Sequence, residues 1–141
     1  MEEAETARLY TPPAAVSGME ERIRRLRHLF DRHYPGIVAV YLYKPVFGPG
    51  PVVDIDLGIL LTATPEATLP AEAEVEWMIQ NAVGLEADVR ILNGGPPTFV
   101  GQVIRGGRLI VDRDAALRKE LLEGLLRRYE EQPHRLAIRG I

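Results

Sequence analysis

The run Val53-Asp54-Ile55-Asp56-Leu57-Gly58-Ile59-Leu60-Leu61 constrains this chain more than any other stretch. From Val52 to Thr62 the composition predicts a buried strand, yet two aspartates interrupt it. Residues i and i+2 of a strand share a face, so Asp54 and Asp56 emerge side by side. Carboxylates that close repel one another unless a cation or a hydrogen-bond donor lies between them. The pair therefore reads as a divalent-metal site. The alternative is two acids at a strand end facing water.

The rest of the chain suits a single domain: 141 residues are enough to bury a real core, and 46% are hydrophobic against 26% charged. A net charge of −3 gives no general push toward nucleic acid or anionic membranes. No apolar run approaches the ~20 residues of a membrane span, and the acidic start is unlike a signal peptide. The absence of cysteine excludes disulfides, thiol catalysis and Cys-ligated zinc, and fits a cytoplasmic location. The basic residues are 15 Arg and two Lys, Lys44 and Lys119, which makes the position of Lys44 notable.

Residues 1–18, with Pro12-Pro13 and small side chains, read as a loose lead-in to one domain over 19–141. Met19, Ile23, Leu26, Phe30 and His33 recur every three or four residues and predict a helix over Met19–His33, with Glu20 and Glu21 in its first turn. Pro35-Gly36 stops it, and Ile37–Tyr43 is a buried strand. Lys44–Pro51 is a Gly/Pro loop before the Val52–Thr62 strand. A helix is expected over Ala71–Val83, ended by Gly84, then a strand over Glu86–Leu92. A short helix near Pro97–Arg105 and a strand over Arg108–Asp112 follow. The last helix, from about Arg113 to Glu131, carries a stripe of Leu117, Leu121, Leu122, Leu125, Leu126 and Tyr129. Strands alternating with helices indicate a layered α/β (α+β) domain with helices packed on one mixed sheet of about four strands.

The Glu86–Leu92 strand brings a third acid, Asp88. If it pairs beside the Val52–Thr62 strand, Asp54, Asp56 and Asp88 converge. Three carboxylates suit a hard cation such as Mg²⁺, which would hold phosphates and activate an attacking oxygen. Against this, Arg90 shares the strand phase of Asp88 and could neutralise it as a structural salt bridge.

With these residues in place, the stretch from Ile37 to about Arg135 resembles a minimal nucleotidyltransferase of the polymerase-beta-like superfamily. Ala39-Val40-Tyr41-Leu42-Tyr43 is similar to the family's first strand, Asp54-Ile55-Asp56-Leu57 to its Asp-x-Asp strand and Ala87-Asp88-Val89 to the strand with its third acid. Leu92-Asn93 before Pro96-Pro97, the segment Val103–Ile110 and Arg113-Asp114 resemble its exit and tail. The chain departs from the pattern at one place: Lys44-Pro45 stands where the family has Gly-Ser, and Val53 where it has a serine. Proline has no N–H to offer a phosphate. Either Lys44 supplies the charge, with Gly48 or Gly50 allowing close backbone approach, or the nucleotide site has decayed.

The resemblance implies two readings of function. In one, Asp54, Asp56 and Asp88 bind Mg²⁺ (or Mn²⁺) with ATP or another nucleoside triphosphate, and Asp88 helps deprotonate a hydroxyl acceptor. Small members of the family act as antitoxins to a HEPN-type partner, which would supply that hydroxyl. In the other, the fold is a catalytically impaired module that neutralises its partner by contact alone. His28, His33 and His134 share no ligand spacing with the acids. Arg22, Arg24, Arg25, Arg27 and Arg32 read as a solvated basic face, with an RNA-contacting role and homo-oligomerisation left open. Trp77 reads as an ordinary packing residue.

Overall fold

The computed structural model describes residues 14–43 and 54–130. The first helix among the described residues, α1 (Ala14–Arg32), starts before Met19, because Ala14 and Ala15 are strong helix formers that continue the turn outward. Met19, Ile23, Leu26 and Phe30 are buried as their spacing requires, whereas His28 and His33 are exposed. The earlier start moves Glu20 and Glu21 out of the first turn, and each finds an arginine partner instead. Glu20 accepts from both terminal nitrogens of Arg108 at 2.7 and 3.2 Å, and Glu21 accepts from Arg24 and Arg25. Tyr34, at φ 61°, turns the chain out of the helix, and the Arg113 guanidinium donates to its carbonyl at 2.6 Å.

Four strands follow: β1 (Ile37–Tyr43), β2 (Asp54–Leu61), β3 (Glu86–Ile91) and β4 (Arg108–Asp112). They form one sheet in the order β3-β2-β1-β4. β1 pairs antiparallel with both β2 and β4, while β2 and β3 are parallel. A parallel pair needs a crossover, and α2 (Thr68–Val83) provides it. Gly84, at φ 77°, ends α2 by donating to the carbonyls of Gln80 and Ile79. The remaining helices are α3 (Pro97–Gly106) and α4 (Ala115–Glu130), the latter capped by Asp114, which accepts from the Leu117 N–H at 3.0 Å.

The sheet lies between two helical layers, each with its own core. Ile23, Phe30, Leu57 and Ile79 belong to the core on the α1 and α2 side. Tyr41, Leu60, Val103 and Leu122 belong to the one under α3 and α4. Gly58 lets α3 settle on β2: a Cβ there would meet Val103 at 2.9 Å and Leu92 at 3.1 Å. In the α4 stripe Leu122 is buried and Leu117, Leu121, Leu125 and Leu126 are half-buried, while the Tyr129 side chain lies outside the described set. Trp77 does not pack: it is 67% exposed, because α2 turns its Val75, Ile79 and Val83 inward and Trp77 falls on the opposite side. No helix among the described residues is long and apolar enough to cross a membrane.

At the β3 edge two outward N–H groups are occupied. The Val89 N–H donates to Glu76 and the Ile91 N–H to Glu72, both at 2.8 Å and both on α2. One step beyond the strand, the buried Asn93 side chain accepts from the Leu61 N–H and donates to the Leu61 carbonyl, each at 2.8 Å. That amide continues the β2–β3 ladder past its last backbone rung.

Candidate active site

Alternation in β2 aims Ile55, Leu57 and Ile59 at α1 and α2, which leaves Asp54, Asp56 and Gly58 on the α3 face. Helix α3 closes over Gly58. Its Phe99 reaches the Tyr43 ring edge-to-face, with centroids 5.6 Å apart at 85°. Past that contact the sheet face is open, with Asp54 exposed and Asp56 half-buried.

The register then sets the neighbours. Asp56 pairs with Asp88 on β3 and with Tyr43 on β1; Asp54 pairs with Glu86. Residues paired this way point to the same face, about 4.8 Å apart. Asp88–Asp56–Tyr43 is thus one row across three strands, and Asp54 with Glu86 the row beside it. Glu86 and Tyr43 escaped the sequence reading, although strand phase marks both: Glu86 lies two residues before Asp88, and Tyr43 ends the strand that hairpins onto β2. Beside the row is a cavity of about 560 Å³ lined by Tyr43, Phe99, Asp88, Arg90, Glu72 and Asn93 among others. Such a volume is in the range of small-molecule sites.

The Tyr43 phenol reports the local field. Burial pushes its pKa up to about 12, the nearby charges of Asp56 and Asp88 add to the rise, and Arg90 opposes it. Arg90 also answers the question its strand phase raised. Its Nε lies 3.3 Å from Asp88 Oδ1, with the two side chains 53% and 49% exposed. The structural salt bridge is formed.

Among the described residues, no three histidine, cysteine, aspartate or glutamate side chains gather closely enough to hold a metal ion together. The donor set nevertheless fits a hard cation in chemistry. Asp54, Asp56 and Asp88 are all oxygen donors on one face of adjacent strands, the ligand type a hard cation prefers. Lys44, Gly48 and Gly50, the expected phosphate-binding residues, lie outside the described residues.

No protein-family model matches the chain, and no curated protein does. Solved structures do match. The MntA–HepT toxin–antitoxin structure aligns with a TM-score of 0.65 and 18% identity over 84% of this chain and 94% of that one. A tri-AMPylated Shewanella oneidensis HEPN toxin in complex with MNT antitoxin aligns at 0.64 and 19% over 84% and 93%. The toxin–antitoxin with AMP-PNP aligns at 0.62 and 19% over 82% and 94%. At such identities the likeness establishes fold. With the strand order and these structural neighbours together, the chain has the α+β fold of the MntA–HepT and MNT antitoxin structures.

Proposed function

We propose that the chain is a nucleotidyltransferase that passes a nucleoside monophosphate from ATP, or another nucleoside triphosphate, to a hydroxyl on a HEPN-type protein partner, as its antitoxin. The observation that carries this reading is the Asp88–Asp56 register pair, open to solvent beside a nucleotide-sized cavity. The AMP-PNP and the AMPylated toxin in structures of the same fold support it.

Asp54, Asp56 and Asp88 are the residues that would hold Mg²⁺ or Mn²⁺. When bound, the ion offsets phosphate charge and lowers the pKa of an attacking oxygen. The chain's own groups supply the rest. Asp88, the more exposed end of the row, faces the cavity and accepts the acceptor's proton. The hydroxyl oxygen bonds to the α-phosphorus, the bond to the β-phosphate oxygen breaks, and pyrophosphate leaves. Tyr43 and Phe99 wall the inner side of the cavity.

The Arg90–Asp88 pair favours the second reading, a module that neutralises its partner by contact alone, because the guanidinium already occupies one acid. A thermal-shift titration with MgATP on the native chain and on Asp56→Asn separates the two. Ligand at ~100-fold above Kd stabilises a fold by about 2.7 kcal/mol. The transferase reading expects a magnesium-dependent rise that Asp56→Asn abolishes. No rise with MgATP, MgCTP, MgGTP or MgUTP refutes it and leaves the contact-only module.

A further inference from the structure

We infer that Arg90 is the residue that binds the nucleotide's phosphate chain, and that its bond to Asp88 is a resting position it leaves when a divalent cation takes that carboxylate. The inference rests on the transferase reading above and assigns a phosphate site within it.

The geometry of the pair is that of a displaceable contact. The closest approach, Nε to Oδ1, is 3.3 Å, long for a charge-assisted hydrogen bond, and both side chains are about half exposed. Exposed ion pairs of this length contribute little to stability, so a divalent ion at Asp88 outcompetes the guanidinium. The planar guanidinium of Arg90 carries a fork of donors, the geometry that grips phosphate oxygens in pairs.

Where the side chain goes on release is set by its surroundings. Its register partner on β2 is Gly58, whose missing side chain would seem to leave room. That room is filled: Val103 and Leu92 lie 2.9 and 3.1 Å from where a Cβ would stand. The path over Gly58 is closed by Val103 and Leu92, and the open side of Arg90 includes the cavity of about 560 Å³ that it lines. Of the described residues lining that cavity, Arg90 is the one cation, set against Asp88 and Glu72. A phosphate chain entering it has no other described positive side chain to meet.

The test uses the full chain and two probes, Mn²⁺ alone followed by electron paramagnetic resonance and Mn²⁺-tripolyphosphate followed by calorimetry, on native protein, Arg90→Ala and Arg90→Lys. The expected result has opposite signs for the two probes. In Arg90→Ala, tripolyphosphate binding weakens by about ten- to hundredfold, the loss of charge-assisted hydrogen bonds. Mn²⁺ alone binds as well as in the native chain, or more tightly, because the competing cation is gone. Arg90→Lys falls between, keeping the charge and losing the fork. Unchanged tripolyphosphate affinity in Arg90→Ala overturns the inference and leaves the transferase reading intact. Loss of both probes in a variant that still melts like the native chain also overturns it, since Arg90 then only shapes the acids. If the native chain binds Mn²⁺ and no tripolyphosphate, both the inference and the transferase reading fall.

Discussion

Asn93→Ala is the sharpest test of how the two parallel strands are held together. The side chain is 6% exposed, and its amide makes both of its bonds to one residue, Leu61, at 2.8 Å each. Truncation removes two hydrogen bonds, each worth about 1 kcal/mol net, and strands an N–H and a carbonyl that cost about 1–3 kcal/mol apiece where water is excluded. Leu61 is half-buried, so water recovers part of that loss. The sum is about 2–4 kcal/mol, a large share of the 5–15 kcal/mol typical of a domain. In urea, with a slope of about 2 kcal/mol/M, the midpoint followed by circular dichroism should fall by about 1–2 M. Asn93→Asp offers an acceptor to the Leu61 N–H but turns a carboxylate toward the Leu61 carbonyl, so it should not rescue at neutral pH. A midpoint shift below about 0.3 M, or full rescue by aspartate, would refute the reasoning.

Gly58→Val should destabilise by about 1–3 kcal/mol, because the new atoms collide with Val103 and Leu92 and push α3 outward; a thermal melt reads the loss. Tyr34 carries a buried hydroxyl with no hydrogen-bond partner of ordinary geometry, so Tyr34→Phe should be neutral or stabilising in the same melt. Its pKa is pushed up to about 12 by burial first and by Glu74 second. A raised folded pKa means stability that is present below about pH 10 and lost as pH rises through about 12, so the alkaline loss should shrink in Tyr34→Phe. The Glu20 carboxyl is held below its usual range chiefly by its hydrogen bonds to Arg108. Its contribution is therefore present above about pH 4.5 and fades as pH falls through the lowered value, and Arg108→Met should flatten that acid limb in a melt series from pH 3 to 6.

Much of the fold was legible because periodicity and punctuation agreed. Ile37–Tyr43 reads as a strand by its β-branched and aromatic run, and Arg108–Asp112 by the Gly106-Gly107 break before it; both form as read. The start of α1 was not legible, since Ala14 and Ala15 carry no amphipathic signal. Trp77 misled because an aromatic on a helix looks like core until the phase of Val75, Ile79 and Val83 is fixed by the sheet beneath. At the site, strand phase sufficed to place Asp54 and Asp56 on one face, but the pairing of Asp56 with Asp88 required the parallel register. Arg90 was ambiguous in sequence because phase gives a shared face and not a distance. The 3.3 Å contact with Asp88 is a matter of side-chain conformation, which no local pattern encodes.

The two carboxylates that α2 places along β3 bear on how anything could approach the acid row. Open strand edges invite another polypeptide to add itself as a further strand, through backbone pairing that is indifferent to side-chain identity. Here Glu72 and Glu76 already hold the Ile91 and Val89 amides, so that generic mode of capture is blocked on the side nearest Asp88. A protein that reaches the row from that side must be selected by its side chains. Leu69, on the same helix and 73% exposed, lines the cavity beside Asp88 and is a large apolar group on that approach.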